Sequence, residues 1–425
     1  MKLTYRPEID GLRAIAVCAV ILYHAEITIF GHQPFKGGFI GVDIFFVISG
    51  YLITFIILEE LITTGSFSFK YFYERRIRRI LPVLLFIMLV SLPFAWWYLL
   101  PTSFIDFSKS ILYSIGFSSN FYFHYSGLEY SVQGLQHPFL HTWSLSVEEQ
   151  YYIIFPIIVL IAFKYIREYL VHILIVGLII SLVLAEWTSK NYSSISFYFL
   201  HTRMWELLAG SLLAYFEIKI GRNSKFKTLN LILPFVGLIL IGYSFLFFYD
   251  GVHHPSFYTL LPIIGVCLII WFSNKNEFIT KILSTKLFVS VGLISYSLSL
   301  WHYPVFSFVK ISGIVSGSVL TTLGGTDVVS GSVLRNLDGT NVVSGSVLRN
   351  LDGTGVFSGS LVAGTNITIN QDGDNFIISS SASGGSVPAG TISSSAQLTT
   401  EFDTRYINTS GDGIVSGSVL RTLDG

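Results

Sequence analysis

The chain is poor in charge: Asp, Glu, Lys and Arg make up 12% of its 425 residues. An ordinary soluble domain carries about twice that share. Hydrophobic residues reach 52%, aromatics 16% and the mean hydropathy +0.63. A conventional soluble protein is thereby excluded, and a polytopic helical membrane protein is expected. Cysteine is almost missing. Cys18 and Cys267 are the only two and both lie in apolar runs, so there is no disulfide framework and no reading of redox compartment. His137 and His141 stand four apart without a third ligand in view, so no metal is expected. The formal net charge is zero, and no nucleic-acid partner is expected. The opening, MKLTYRPEIDGLR, is too polar for a cleaved signal peptide, so the first helix is expected to stay as an anchor.

What the chain does have is long apolar runs. They fall at 14–31, 38–58, 81–100, 143–163, 170–187, 203–218, 229–248, 257–273 and 287–309. Most approach the ~20 residues that a membrane-crossing helix needs. A tenth run, 104–123, is aromatic but broken by polar residues, and could span, re-enter or lie at the interface. Lys and Arg cluster before the first run and after the second, fourth, sixth and eighth. With nine spans and a cytoplasmic N-terminus, every cluster falls inside.

After Lys310 the texture changes. Residues 313–425 contain four Arg and nine acidic residues, and no Lys, His, Trp or Cys. GIVSGSVLTTLGGT, DVVSGSVLRNLDGT and NVVSGSVLRNLDGT follow one another with a period of 14. NITINQDGDNFIISSS alternates like two strands around a DGD turn. Two domains are expected, 1–312 and 313–425. The fold class is an all-α membrane bundle of about ten transmembrane helices followed by a Gly/Ser-rich repetitive tail, β-rich or disordered. Nothing in the tail looks catalytic.

Arg13 and His24 lie in the first apolar helix with ten residues between them. At about 100° and 1.5 Å per residue they share a face, with His24 roughly 16 Å deeper. Ionisable groups in hydrocarbon are costly and functional by default. Arg13 reads either as a snorkelling interfacial arginine or as a functional charge. His24 reads either as a buried histidine bonded to a neighbouring helix or as a general base. Asp10 and Asp43 are further acidic candidates. Arg75, Arg76, Arg78 and Arg79 crowd YERRIRRILP. One or two would be a positive-inside anchor, whereas four suit phosphate oxygens, which guanidinium forks bind bidentately.

HTWSLSVEEQ opens another span. Ser144 or Ser146 could cap that helix, with Glu148 and Glu149 near its positive dipole end. His141 and Trp143 complete the motif. Arg203 and Glu206 stand at i, i+3 and are expected to pair. His302 sits in SYSLSLWHYP, where an interfacial aromatic belt is the plain account. Ser49–Gly50 in FFVISGYLIT reads as a small-residue packing site.

YRPEIDGLRAIAV with its following histidine, GGFIGVDIFFVISGYLIT, FYERRIRRILP, LHTWSLSVEEQYYIIFP and ISYSLSLWHYPVF occur in this order. Over about residues 1–309 that set resembles the acyltransferase-3 family of bacterial inner-membrane proteins, which O-acylate surface glycans. The resemblance implies about ten helices, an Arg–His hallmark at Arg13 and His24, and an R-x-x-R motif for acyl-CoA at Arg75/Arg78 or Arg76/Arg79. It also implies acyl transfer, acetyl by expectation, from cytoplasmic acyl-CoA to a hydroxyl of a surface polysaccharide, lipopolysaccharide O-antigen or peptidoglycan sugar. In that expectation His24 is the base or a transient acyl carrier, Arg13 steadies the donor, and Glu148 or Glu149 orients the imidazole. Longer family members continue into an extracytoplasmic SGNH-hydrolase-like domain. Here the repeats instead resemble bacteriophage tail-fibre repeats, as a fusion or an assembly artefact would. The alternatives are a transporter or flippase, in which buried Arg, His and Glu line a solute path, and a fibre or adhesin role for the tail.

Overall fold

The computed structural model describes residues 5–27, 33–126, 137–222, 227–249, 251–274 and 277–311, and five short strands beyond them. The chain divides into two units, Met1–Ser312 and Gly313–Gly425.

The first unit is helical. Helix α1, Pro7–His24, opens on a proline at its first turn, where a missing N–H costs nothing. It therefore starts seven residues ahead of the apolar run at 14–31. The early start draws Glu8 and Asp10 into the fold, each with a partner, as buried charge requires. A short 3-10 turn leads into α2, Gly41–Thr64, which ends on Gly65 in the left-handed region (φ 72°), the usual glycine stop. Helix α3, Phe69–Tyr98, is capped by the Ser68 hydroxyl and runs through Pro82 and Pro93.

The aromatic stretch 104–123 is two helices, not one. They are α4, Pro101–Ile115, and α5, Ser119–Ser126, parted where Phe117 turns to φ 50°. Next come α6, Thr142–Tyr165; α7, Leu170–Asn191; α8, Ser193–Tyr198; α9, Leu200–Ile220; and α10, Lys227–Phe247. The unit closes with α11, Leu260–Phe272; α12, Phe278–Leu283; α13, Lys286–Leu293; and α14, Ser295–Ile311.

Among the described residues five helical stretches are long and apolar enough to cross a membrane. They are α2 with its leading turn, α3, α6, α7 and α10. The other expected spans differ for identifiable reasons. Helix α1 holds Glu8, Asp10 and Arg13, and α9 holds Arg203, Glu206, Glu217 and Lys219. Helix α11 has 13 residues, and the run 287–309 is broken at Ile294 between α13 and α14.

Helices α2 and α9 cross where glycine faces backbone. A Cβ on Gly50 would stand 1.9 Å from the Leu207 carbonyl, and one on Gly210 1.9 Å from that of Val47. Close approach through small residues is the main packing device between helices in a bilayer, where apolar side chains gain little by leaving lipid. The core around this crossing takes in Tyr51, Trp205 and Ile44.

In the second unit, β1 (Val319–Leu320) pairs antiparallel with β2 (Asp327–Ser330), and β2 pairs in parallel with β3 (Asn341–Ser344). Asp327 stands opposite Asn341, so neighbouring repeats stack with the sequence period as their register. Strands β4 (Ile367–Asp372) and β5 (Asn375–Ser380) pair antiparallel as the alternation predicts. The turn at 373–374 and the other repeats lie outside the described residues.

Candidate active site

A cavity of about 120 Å³ lies between α1, α2, α3, α6 and α14. Helix α1 lends it Arg13, α2 Ser49, and α3 Arg76 and Arg79. Helix α6 lends Glu148 and Glu149, and Ser299 of α14 and His141, just ahead of α6, line it too. Its lining thus includes three arginines and two glutamates. Arg13 is not a snorkelling residue: its side chain is 13% exposed and pairs with Asp10 at 3.5 Å. Asp10 is held in turn by the Tyr5 hydroxyl at 2.9 Å. Arg76 lies over the rings of Tyr152 and Phe72, 4.8 and 5.8 Å from their centroids, which fixes its fork without consuming its hydrogen-bond donors.

Glu148 holds α2 to α6. Its Oε1 accepts from Ser49 Oγ and from the Tyr152 hydroxyl one turn on. Glu149 lines the same cavity, and its Oε1 is buried with no hydrogen-bond partner among the described residues.

His24, on the last turn of α1, is not among the residues that line the cavity. It adjoins one end through its neighbours. Its Nδ1 lies 3.0 Å from the carbonyl of Val20, a lining residue, and 3.2 Å from His302 Nε2. His302 Nδ1 lies 2.6 Å from the carbonyl of Ser299, also a lining residue. Tyr303 meets His24 edge-on and stacks on His141, with ring centroids 5.0 and 5.3 Å apart.

A second polar cluster is sealed in the fold. Arg203 Nη1 stands 2.7 Å from Asp43 and 3.3 Å from Glu206, all three with wholly buried side chains. His254 Nε2 bonds Asp43 at 2.9 Å. The Arg203 guanidinium also lies over the rings of Phe197 and Trp143. Near the N-terminus, Arg6 ties α1 to α2, α9 and α11 through Tyr51 (2.8 Å), Glu217 (3.4 Å) and the Ile270 carbonyl (2.6 Å).

Comparison with known proteins gives the family. A family model described as an acyltransferase domain matches residues 6–326. The chain belongs to the acyltransferase-3 family. The match includes every helix that lines the cavity and ends at residue 326, 14 residues past Ser312, the end of the helical unit. A Staphylococcus aureus (strain MSSA476) protein named "Putative O-acetyltransferase SAS0844" is 36% identical over 336 residues, 75% of this chain and 53% of that protein. O-acetyltransferase OatA of Staphylococcus aureus (strain NCTC 8325 / PS 47) is 32% identical over 330 residues, 74% of this chain and 53% of its own. The chain thus spans about half the length of the curated relatives it matches. No solved structure matches it.

Within this acyltransferase-3 chain, several residues differ from expectation. Arg75, Arg78 and Arg79 are exposed and Arg76 is half-buried; Arg78 pairs with Glu74 at 2.6 Å, and neither Arg75 nor Arg78 lines the cavity. The pair on the cavity is Arg76 and Arg79; both i, i+3 pairs share a face, and the way α3 is turned against the cavity selects this one. Among the described residues neither Glu148 nor Glu149 bonds His24; Glu148 Oε1 is engaged by Ser49 and Tyr152, and the imidazole's side-chain partner is His302. Neither Ser144 nor Ser146 caps α6. Ser144 bonds back to the His141 carbonyl at 3.1 Å, and Ser146 bonds Ser119 at 2.8 Å. Arg203 and Glu206 do pair, joined by Asp43. Trp143 packs at the rim of that cluster and not in the cavity. Sequence reasoning missed Tyr152, although its i+4 spacing from Glu148 is a helix-face signal. It also missed His254, whose partner Asp43 is 211 residues away and left no local trace.

Proposed function

We propose that the helical unit is an integral membrane O-acyltransferase that moves an acyl group, acetyl in the first instance, from cytoplasmic acyl-CoA to a sugar hydroxyl of a cell-surface glycan. The bundle is read as about ten spans in the bacterial inner membrane with its N-terminus cytoplasmic. The observation that carries this reading is a single cavity. It has Arg13, Arg76 and Arg79 on its wall, and Val20, His141 and Ser299 link it to His24. Guanidinium forks are the groups of choice for the phosphates of a nucleotide-linked donor, and a neutral histidine is the usual general base for a hydroxyl nucleophile.

In the proposed step His24 takes the proton of the acceptor hydroxyl as the sugar oxygen attacks the thioester carbon. The new C–O bond forms and the C–S bond breaks. The thiolate leaves with the electron pair and receives the proton from the imidazolium. Arg13, on the cavity wall on the far side from His24, helps hold the donor. Arg76 and Arg79 hold the donor's phosphates. No redox partner or metal enters the balance.

The test uses membranes that contain the full chain, given acetyl-CoA labelled in its acetyl group. Base-labile label in the glycan fraction, absent from membranes without the chain, supports the reading. Uptake or flipping of a solute with no acetyl transfer overturns it in favour of a transporter.

A further inference from the structure

Two carbonyl oxygens decide where the protons sit in the histidine pair. A carbonyl only accepts. His302 Nδ1, 2.6 Å from the Ser299 carbonyl, therefore carries a hydrogen. So does His24 Nδ1, 3.0 Å from the Val20 carbonyl. The 3.2 Å contact between His302 Nε2 and His24 Nδ1 then has one consistent polarity. His24 Nδ1–H donates, shared between Val20 and His302, and His302 Nε2 accepts with its lone pair. A hydrogen on His302 Nε2 would meet the His24 hydrogen head-on. His302 is thus in the neutral Nδ1–H form, and His24 carries a hydrogen on Nδ1. Among the described residues no hydrogen bond reaches His24 Nε2, which leaves that nitrogen open to a substrate.

We propose that His302 is a positioning residue: it holds His24 in the Nδ1–H tautomer, so that Nε2 is the basic nitrogen. The bond made by one ring nitrogen sets the state of the other. The Val20 carbonyl accepts the same hydrogen from within α1; His302 adds the contact that reaches it from another helix. His302 comes from α14, 278 residues away, and is itself fixed by Ser299 on the cavity wall. Tyr303, edge-on to His24 and stacked on His141, closes the pair from the side. The link from cavity to base thus runs Ser299, His302, His24. The catalytic consequence rests on the reading of His24 as the base; the tautomer assignment does not.

The experiment is nitrogen-15 NMR of the full chain in lipid nanodiscs with labelled histidine, His24 being assigned by its loss in His24→Ala. The expected spectrum has His24 protonated on Nδ1 and bare on Nε2. His302→Ala is expected to shift His24 towards the Nε2–H form. His302→Gln, whose amide oxygen can accept the same bond, is expected to keep the Nδ1–H form. In the acetyl-transfer assay, turnover falls about tenfold in His302→Ala with KM for acetyl-CoA unchanged, and His302→Gln recovers it. An unchanged His24 tautomer in His302→Ala overturns the proposal. Should His302→Ala fail to fold, a wild-type spectrum with His24 protonated on Nε2 overturns it equally. A His24→Ala chain that still transfers acetyl groups overturns the catalytic consequence and the reading of the site beneath it, while the spectrum alone judges the tautomer.

Discussion

Ser49 of α2 and Glu148 of α6 are joined by a hydrogen bond across the wall of the cavity, and Tyr152 donates to the same carboxylate oxygen. One side chain thus fixes the distance between two of the five elements around the site. Glu148→Ala would leave two hydroxyls without their acceptor, at about 1–3 kcal/mol for each buried group left unmatched. Ser49→Ala leaves the Tyr152 bond in place and is expected to cost about 1 kcal/mol or less. Thermal unfolding of the purified chain in detergent should order the variants as wild type, Ser49→Ala, Glu148→Ala. Equal melting temperatures for the two variants would refute the shared-acceptor account.

The α3 arginines should separate by position. Arg76→Ala with Arg79→Ala removes two guanidinium groups from the cavity wall. Acetyl-CoA affinity is expected to fall about tenfold or more, as charge-assisted hydrogen bonds of about 1.5–3 kcal/mol imply. Arg78→Ala, which removes an exposed partner of Glu74, should leave affinity within about twofold, in keeping with the small worth of surface pairs. Isothermal titration in nanodiscs decides between them. A larger loss from Arg78→Ala would move the donor site to the other face of α3.

The buried ion cluster is predicted to matter for folding. Arg203→Ala would strand Asp43 in the protein interior, and breaking a buried pair by removing one partner costs about 3–5 kcal/mol. A sharp drop in the monodisperse fraction after size-exclusion chromatography is expected. Near-normal yield and melting would mean that His254 neutralises Asp43 without help.

At the α2–α9 crossing, Gly210→Ala would drive a methyl group into the Val47 carbonyl. Overpacking of this kind costs about 1–3 kcal/mol or more. Gly242→Ala, on α10 with nothing within 4 Å of its would-be Cβ, serves as the control and should be neutral or better, since alanine favours helix. Comparable folded yields for the two would show that the helices can shift apart freely.

Parts of this fold are written locally and parts are not. The apolar runs announce α2, α3, α6, α7 and α10, because hydrophobicity over about 20 residues is a signal that each segment carries alone. The arginine cluster marks α3 but leaves two i, i+3 pairs open, since four arginines in five residues cover more than one face. Which pair matters depends on the rotation of α3 against α6. Arg13 and His24 were legible as costly residues on one helix. Their partners were not: Asp10 is hidden by the expectation that the helix begins later, and His302 is brought in by the last helix of the bundle. Glu148 was recognised as out of place for a simple cap, yet its bonds to Ser49 and Tyr152 required the packing of α2 on α6. Long-range pairs such as Asp43–His254 leave no periodicity to read.

The central claim is that His24, at the end of the arginine-lined cavity, carries the acyl-transfer chemistry. Acetyl transfer from labelled acetyl-CoA to the cell-envelope glycan, compared between the full chain and its His24→Ala variant at matched expression, tests it most directly. The account predicts base-labile glycan acetylation with the wild-type chain and background label with the variant. Label retained at the wild-type level in His24→Ala would contradict it.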